Sequence, residues 1–355
     1  MNNLNKGKHM FKGCYTALIT PFIDGQIDMN GLDQLVAFQI ENNVSGIVAV
    51  GTTGESPTLI WDEHNTVIKF IADKTSNKCA CIAGTGSNNT KEAINAVRHA
   101  VVSGVSAALM VDPYYNGPSS LEIRKEYYEP VAQKFPDLPI VPYIIPGRTG
   151  TQLLPEDLAI LKETHQNVCA VKEATGDFEN MKKTRKLCGS DFTILSGDDD
   201  KTYEMISNHE IQSTGVISVI ANIAPKAVQN MVTASLQGND TKAKELKDAL
   251  SPLFRLVSVV TTEDTPYGSV ICRARNPLPC KTLMKILGMP SGSCRQPTGK
   301  MTRKGFSVVL DAVRTVYQKN PEILEPLASF FNVDIPSRLA DENFHQSVIY
   351  SDEYK

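Results

Sequence analysis

Residues 167–188 read NVCAVKEATGDFENMKKTRKLC, an apolar run that ends in a lysine and a glutamate, a Gly-Asp turn, and then an amphipathic segment. A short apolar run followed by a segment of helical period is one β/α unit. The unit recurs from residue 13 onward. Runs that read as strands occupy 15–20 (YTALIT), 46–50 (GIVAV), 79–84 (CACIAG), 107–111 (AALMV), 139–144 (PIVPYI), 167–172 (NVCAVK), 192–196 (FTILS) and 213–218 (STGVIS). Helical candidates lie at 29–42, 62–77, 90–103, 119–135, 155–163, 177–188, 199–209 and 225–236. Asn30, Asp62 and Thr90 are the expected helix caps, and Pro155 and Pro225 suit a first helical turn. Eight such units over about 220 residues predict an α/β fold, a (β/α)8 TIM barrel. A doubly wound open sheet is the competing architecture, because periodicity does not show closure. Its usual marker, a G-x-G-x-x-G turn after the first strand, is missing.

Working outward, residues 1–12 read as a polar N-terminal tail, 13–238 as the catalytic barrel and 239–331 as a C-terminal helical domain. Helical spacing in this last part covers 242–260, 278–287, 303–317 and 321–331. Residues 332–355 are polar and are expected to form a loose tail or an arm laid over a neighbouring subunit. The 355 residues are 41% hydrophobic and 21% charged, with a net charge of −3 and no long Lys/Arg run, so nucleic acid and membrane surfaces are not expected partners. The N-terminus lacks the apolar core of a secretory signal, and no stretch is long and apolar enough to span a bilayer, so a cytoplasmic enzyme is expected. Eight cysteines without C-x-x-C spacing read as reduced thiols, and six histidines without an H-x-x-x-H pair give no metal site.

In such a barrel the active site lies at the C-terminal ends of the strands. GTTGES (51–56), DPYYN (112–116), Tyr143 with GRTG (147–150), Lys172 and SGDDD (196–200) all fall there. A lysine desolvated at a barrel mouth has a depressed pKa and attacks a carbonyl as the neutral amine. Taken alone, Lys172 could equally pair with Glu173 or reach Asp198. Tyr143, at the end of the preceding strand, is suited to move protons or to fill the core. Thr52 and Thr53 offer hydroxyls and backbone N–H groups for a carboxylate, or form a capping turn. Arg148 could grip a substrate carboxylate or make a surface ion pair. Tyr114 and Tyr115 are unusual in a solvent loop and read as core or interface residues as well as functional ones.

Together GTTGES, PYYN (113–116), Y-x-x-P-G-R-T-G (143–150), VKEATGD (171–177), SGDD (196–199) and GVISV-x-AN (215–222) resemble the pyruvate-dependent class I aldolase family of dihydrodipicolinate synthases and N-acetylneuraminate lyases. The resemblance runs from about Gly13 to the 276–288 segment and fades after about residue 320. It implies that Lys172 condenses with the keto group of pyruvate to an iminium, which loses a methyl proton to give an enamine. Tyr143 would shuttle protons with Thr53 and with Tyr115, which in the family enters the active site of an adjacent subunit. A homo-oligomer follows, a dimer of dimers. No cofactor beyond the covalent Schiff base on Lys172 is implied. Arg148 would hold the carboxylate of L-aspartate 4-semialdehyde, while Thr52, Thr53 and the backbone around Gly197 and Ile217 line the pyruvate pocket.

Within the family the G-R-T-G loop favours the synthases, lyases of the carbon-oxygen, hydro-lyase type in the diaminopimelate and lysine pathway. The alternatives are a relative acting on another aldehyde, such as a sugar acid, sialic acid or 4-hydroxy-2-oxoglutarate, and a non-catalytic metabolite-binding barrel. Ile144 departs from the asparagine that commonly follows the tyrosine in synthases, and is expected to make the mouth more apolar. Feedback-inhibited members bind L-lysine at a subunit interface; the matching positions are Ser56, Trp61, His64, Asn88, Glu92 and Tyr114. Trp61, the single tryptophan, could instead belong to the core or an interface.

Overall fold

In a computed structural model of the chain, which describes residues 11–352 and 354, eight parallel strands pair in order and close on themselves. They are β1 (Gly13–Ala17), β2 (Gly46–Ala49), β3 (Ala80–Gly84), β4 (Ala107–Val111), β5 (Ile140–Ile144), β6 (Ala170–Glu173), β7 (Thr193–Ser196) and β8 (Gly215–Ser218). The seam is made by β1, where Tyr15 lies opposite Gly46 of β2 on one side and Ile217 of β8 on the other. Two glycines let that seam shut: Gly13 is in register with Gly215, and a Cβ on Gly215 would stand 2.1 Å from the Gly13 carbonyl oxygen. The open sheet is thereby excluded. The first ten residues of the predicted 1–12 tail lie outside the described residues.

Strand alternation sorts side chains into two layers. Tyr15, Val48, Ile82, Leu109, Tyr143 and Leu195 fill the barrel interior as one cluster. Their neighbours Ile47, Ala49, Ile140, Ile144, Val171 and Ile194 face the surrounding helices in a larger one. Helices occupy the expected intervals, but the predicted caps are displaced toward the N-terminus. Asp28, not Asn30, accepts from the Gly31 N–H, and Asn89, not Thr90, accepts from Lys91. The helix expected to start at Asp62 starts at Trp61, with Glu63 reaching back to the Ile60 N–H at 3.2 Å. A Ser/Asn/Asp side chain caps best from outside the first turn, where its oxygen reaches N–H groups ahead of it.

The C-terminal part departs from the helical expectation. After the helix Asp240–Phe254 the chain forms an antiparallel hairpin, β9 (Ser258–Thr265) and β10 (Gly268–Arg275). Helices resume at Leu278–Ile286, Arg303–Lys319 and Glu325–Phe331. Phe330 and Phe331 close on Phe38 of the first barrel helix, with ring centroids 5.2 and 5.1 Å away. The segment expected to be a loose tail or an intersubunit arm instead lies on its own chain. Ile335, Leu339, Val348 and Ile349 are buried, and Arg338 donates to the carbonyls of Ile286 and Lys285 at 2.7 and 2.8 Å. Four apolar anchors among polar neighbours are enough to dock it, a pattern too sparse to read from the sequence. The eight cysteines, all among the described residues, are in the thiol form and not in disulfides.

A buried ion pair ties this part to the barrel. Lys281 Nζ lies 2.6 Å from Glu55 Oε1 and also donates to the Thr20 carbonyl at 3.0 Å, while the Arg295 N–H donates to Glu55 Oε2 at 2.8 Å. Both side chains are almost fully enclosed, so each charge depends on the other. Removing one partner of such a pair leaves an uncompensated buried charge, which costs about 3–5 kcal/mol. Lys281→Met is therefore expected to lower the urea midpoint by that equivalent. A midpoint equal to that of the parent protein would show that the pair is not needed.

Candidate active site

Lys172 lies one residue before the end of β6 with its side chain turned into the barrel, directly in register with Tyr143 of β5. Its Nζ sits 4.0 Å from the Tyr143 ring centroid. Among the described residues it has no hydrogen bond or ion pair, so neither Glu173 nor Asp198 neutralises it by contact. Burial pulls the Lys172 pKa down to about 8, against the upward pull of Asp198 and Asp199, with Arg148 adding to the depression. The enclosure has a specific wall: a Cβ on Gly197 would come 2.7 Å from Ala174 Cβ and 3.1 Å from Lys172 Cε. Gly197 thus holds the lysine stem by having no side chain. Burial pushes Tyr143 up to about 12, with Arg148 and Thr52 opposing and Asp198 assisting, so the phenol carries its proton at neutral pH.

Glu173, next in sequence, faces the helix side. It accepts from the Thr175 N–H at 2.8 Å and Asn180 Nδ2 at 3.1 Å, and burial raises it to about 7. Ile144 follows the same alternation and is buried in the outer layer. The expectation that it makes the mouth more apolar is therefore wrong: the residue after Tyr143 does not face the mouth. Ile145, one further on, does.

Above the lysine, Thr52, Tyr143, Arg148, Ser56 and Tyr114 line a cavity of about 210 Å³. Thr53 is buried and accepts from Asn276 Nδ2 at 3.0 Å. Asn276 also receives Arg148 Nη2 on its carbonyl at 3.2 Å, and its own Oδ1 is buried without a partner among the described residues. This residue, which links the threonine to the arginine, was not among the expected ones; it lies far beyond the barrel in sequence, and only the folding back of the C-terminal part brings it to the mouth. Ile217 fills the barrel interior with Leu195 below the site. Asp199 turns away from the lysine to accept from the Val219 and Ile220 N–H groups at 2.9 and 3.3 Å, and burial raises it to about 6.

Tyr115 is not gathered with these groups. It is 93% exposed on its own chain, at φ +79°, a left-handed backbone that costs a non-glycine residue about 1–3 kcal/mol. The loop that holds it is anchored from behind. The segment Ile123–Tyr128 is wound as a π-helix, which turns two successive tyrosines toward β4. Tyr127 donates to the Val111 carbonyl at 3.1 Å, and Tyr128 bonds Asp112 Oδ1 at 2.7 Å. Burial holds the Asp112 carboxyl up at about 7.

The six positions matched to an inhibitor site divide into groups. Ser56 and Tyr114 share the mouth cavity, and Asn88 Oδ1 accepts from the Tyr114 N–H at 2.7 Å. Glu92 accepts from Ser87 at 2.6 Å. Trp61 packs on His64 with ring centroids 5.0 Å apart. Both His64 ring nitrogens are buried without a partner among the described residues, and burial, aided by the charge of His99, lowers its pKa to about 4. Among the described residues no hydrogen bond or ring contact joins this aromatic pair to Glu92. No cluster of three His, Cys, Asp or Glu side chains among them could hold a metal ion, and no helix is long and apolar enough to cross a membrane.

A desolvated amine ending a strand of a closed (β/α)8 barrel, with a phenol beside it, defines a class of barrel built for carbonyl chemistry through a covalent amine adduct. The chain belongs to the dihydrodipicolinate synthetase family, whose sequence model matches residues 10–315. The 4-hydroxy-tetrahydrodipicolinate synthase of Methanothrix thermoacetophila is 40% identical over 306 residues, covering 86% of this chain and 96% of that protein. The dihydrodipicolinate synthase of Acinetobacter baumannii complexed with pyruvate superposes with a TM-score of 0.77 at 32% identity, over 86% of this chain and 98% of the other. The Cyanidioschyzon merolae enzyme with lysine bound gives 0.78 at 32% identity, over 87% and 99%.

The depressed lysine sets a pH dependence. At a pKa of about 8, roughly a tenth of the amine is neutral at pH 7, against about 0.03% for an ordinary lysine. Cyanoborohydride trapping of pyruvate on Lys172 should rise about tenfold from pH 6 to 7 and level off above about pH 9. A rate still climbing at pH 10 would mean that burial does not tune this amine.

Proposed function

We propose that the protein is a 4-hydroxy-tetrahydrodipicolinate synthase, a hydro-lyase in lysine biosynthesis that condenses pyruvate with L-aspartate 4-semialdehyde. The observation that carries this reading is the buried Lys172 amine, without a hydrogen bond or ion pair among the described residues, set against the ring of Tyr143, which lines one cavity with Arg148. The neutral amine attacks the pyruvate keto carbon. Water leaves as the iminium forms, with the Tyr143 phenol positioned to give and take the protons. The iminium then loses a methyl proton to form the enamine, whose carbon attacks the aldehyde. The Arg148 guanidinium is suited to the second substrate's carboxylate, and the unpartnered Asn276 Oδ1 beside it to the ammonium. Thr52 and Thr53 line the pyruvate side, with Gly197 and Ile217 below. Cyclisation of the adduct releases the lysine, so no separate cofactor enters the cycle.

The strained, exposed Tyr115 supports a role in a neighbouring subunit, in which case the working unit is at least a dimer and, by the family's habit, a dimer of dimers. Residues 13–238 are then the catalytic barrel and 239–331 the unit that closes its mouth. Cytoplasmic residence fits a pathway enzyme of this kind. L-Lysine is proposed to inhibit through Ser56, Trp61, His64, Asn88, Glu92 and Tyr114.

Pyruvate with borohydride should add a stable mass to the peptide bearing Lys172, and Lys172→Ala should abolish it; a parent protein that forms no adduct sinks the reading. In a coupled assay L-aspartate 4-semialdehyde should turn over faster than a sugar-acid aldehyde or glyoxylate, and the reverse order would move the protein to another aldehyde. Activity unchanged by millimolar L-lysine would remove the inhibitor assignment.

A further inference from the structure

A second cavity, of about 450 Å³, lies beyond Arg148, between the hairpin β9–β10 and the segment that precedes the helix Arg303–Lys319. Arg148, Arg273, Arg275 and Lys300 border it, and no carboxylate does among the described residues. Some arginines elsewhere are matched with acids, Arg124 with Glu129 and Asp157 and Arg295 with Glu63, while others, such as Arg185 and Arg338, are held by backbone carbonyls. Here the two bonded arginines meet, among the described residues, only backbone oxygen, Arg148 on Asn276 at 3.2 Å and Arg275 on Gly147 at 3.1 Å. Arg273 and Lys300 have no hydrogen bond or ion pair among the described residues. Glu263 stands behind the wall and is already engaged, accepting from Thr261 at 2.7 Å and Thr302 at 2.8 Å with Lys304 at 3.8 Å.

The C-terminal segment helps build this hollow. Tyr350, whose N–H donates to the Met301 carbonyl at 3.1 Å, lies against Gly299, where a Cβ would stand 1.8 Å from the phenol oxygen. Like charges gathered around a concave, low-dielectric wall focus a field, with no lining carboxylate among the described residues to oppose it, and the natural complement is an anion with more than one charge. Guanidinium groups are suited to bidentate grips on carboxylate or phosphate oxygens. The volume exceeds what a three-carbon keto acid needs.

We propose that this cavity is a binding site for a small multivalent oxyanion, a phosphate ester or a polycarboxylate, and that it shares Arg148 with the active-site mouth. The anion site rests on its own residues. Only the sharing of Arg148 rests on the proposed function, and its consequence is competition with the second substrate's carboxylate but not with imine formation at Lys172.

Isothermal titration of the full-length protein with pyrophosphate and, separately, with citrate, at matched ionic strength in potassium chloride, tests it. Saturable binding is expected for at least one, weakening as salt rises, and about tenfold weaker in the Arg273→Gln/Lys300→Gln double variant. The stronger of the two identifies the oxyanion type. No saturable binding by either, or equal binding by the double variant, overturns the site. Pyruvate trapping on Lys172 in the double variant checks that the barrel is intact, and its absence from the parent protein as well would count against the enzymatic reading, not against the anion site. With the binding anion present, the KM for L-aspartate 4-semialdehyde should rise about tenfold in the parent at ten times the dissociation constant; an unchanged KM overturns the sharing of Arg148.

Discussion

The removal of water from one amine governs the rest of this molecule. Lys172 is set inside a barrel whose other inward residues are nearly all apolar, and among the described residues no carboxylate pairs with it, the Tyr143 ring face 4.0 Å away being its one charge-stabilising contact. An ammonium there is disfavoured, so the group favours the nucleophilic form at a pH where surface lysines are fully protonated. Two of the three neighbouring acids are turned elsewhere by backbone N–H groups, Glu173 to Thr175 and Asp199 to Val219 and Ile220, leaving Asp198 to act on the amine without touching it. Were either carboxylate free to swing inward, it would restore the charge and spoil the nucleophile. Much of the local hydrogen bonding thus serves to keep acids away from a base.

The mouth above that amine is completed by residues remote in sequence. Asn276 joins Thr53 to Arg148, and the Lys281–Glu55 pair fixes the end of the GTTGES loop. Glu55 sits at φ +58°, so the loop is held in a conformation that a non-glycine residue resists, and the buried ion pair opposes that resistance. The C-terminal part therefore acts as a lid fastened at fixed points, not as an independent appendage.

Most of the barrel was legible because parallel strands buried on both faces read as short apolar runs, and their polar ends mark the catalytic face. Closure was not, although Gly13 and Gly215 carry it; two glycines far apart in sequence announce contact only when the sheet is built. Strand alternation by itself puts Lys172 and Glu173 on opposite faces of β6. The same rule applied to Tyr143 and Ile144 would have shown that Ile144 faces the helices. The hairpin was hidden because both of its strands are largely solvent-exposed, so SVVTTEDT and GSVICRAR lack the apolar continuity of a core strand, while Val259 and Val260 read as the end of the helical pattern over 242–260. The strained backbone of Tyr115 has no sequence signature, since a tyrosine gives no hint of a positive φ.

The seam between β1 and β8 also has a temporal side. Gly13 and Gly215 lie about 200 residues apart, so during synthesis the first strand must wait, with one edge unpaired, until the last has left the ribosome. Its inner residues have no complete wall, and Phe38 on the following helix waits longer still for Phe330 and Phe331. Contacts of such separation slow folding and leave strand edges open to foreign chains. The nascent chain of this protein is therefore the form most in need of chaperone shelter, and the closing of that seam is the step at which the need ends.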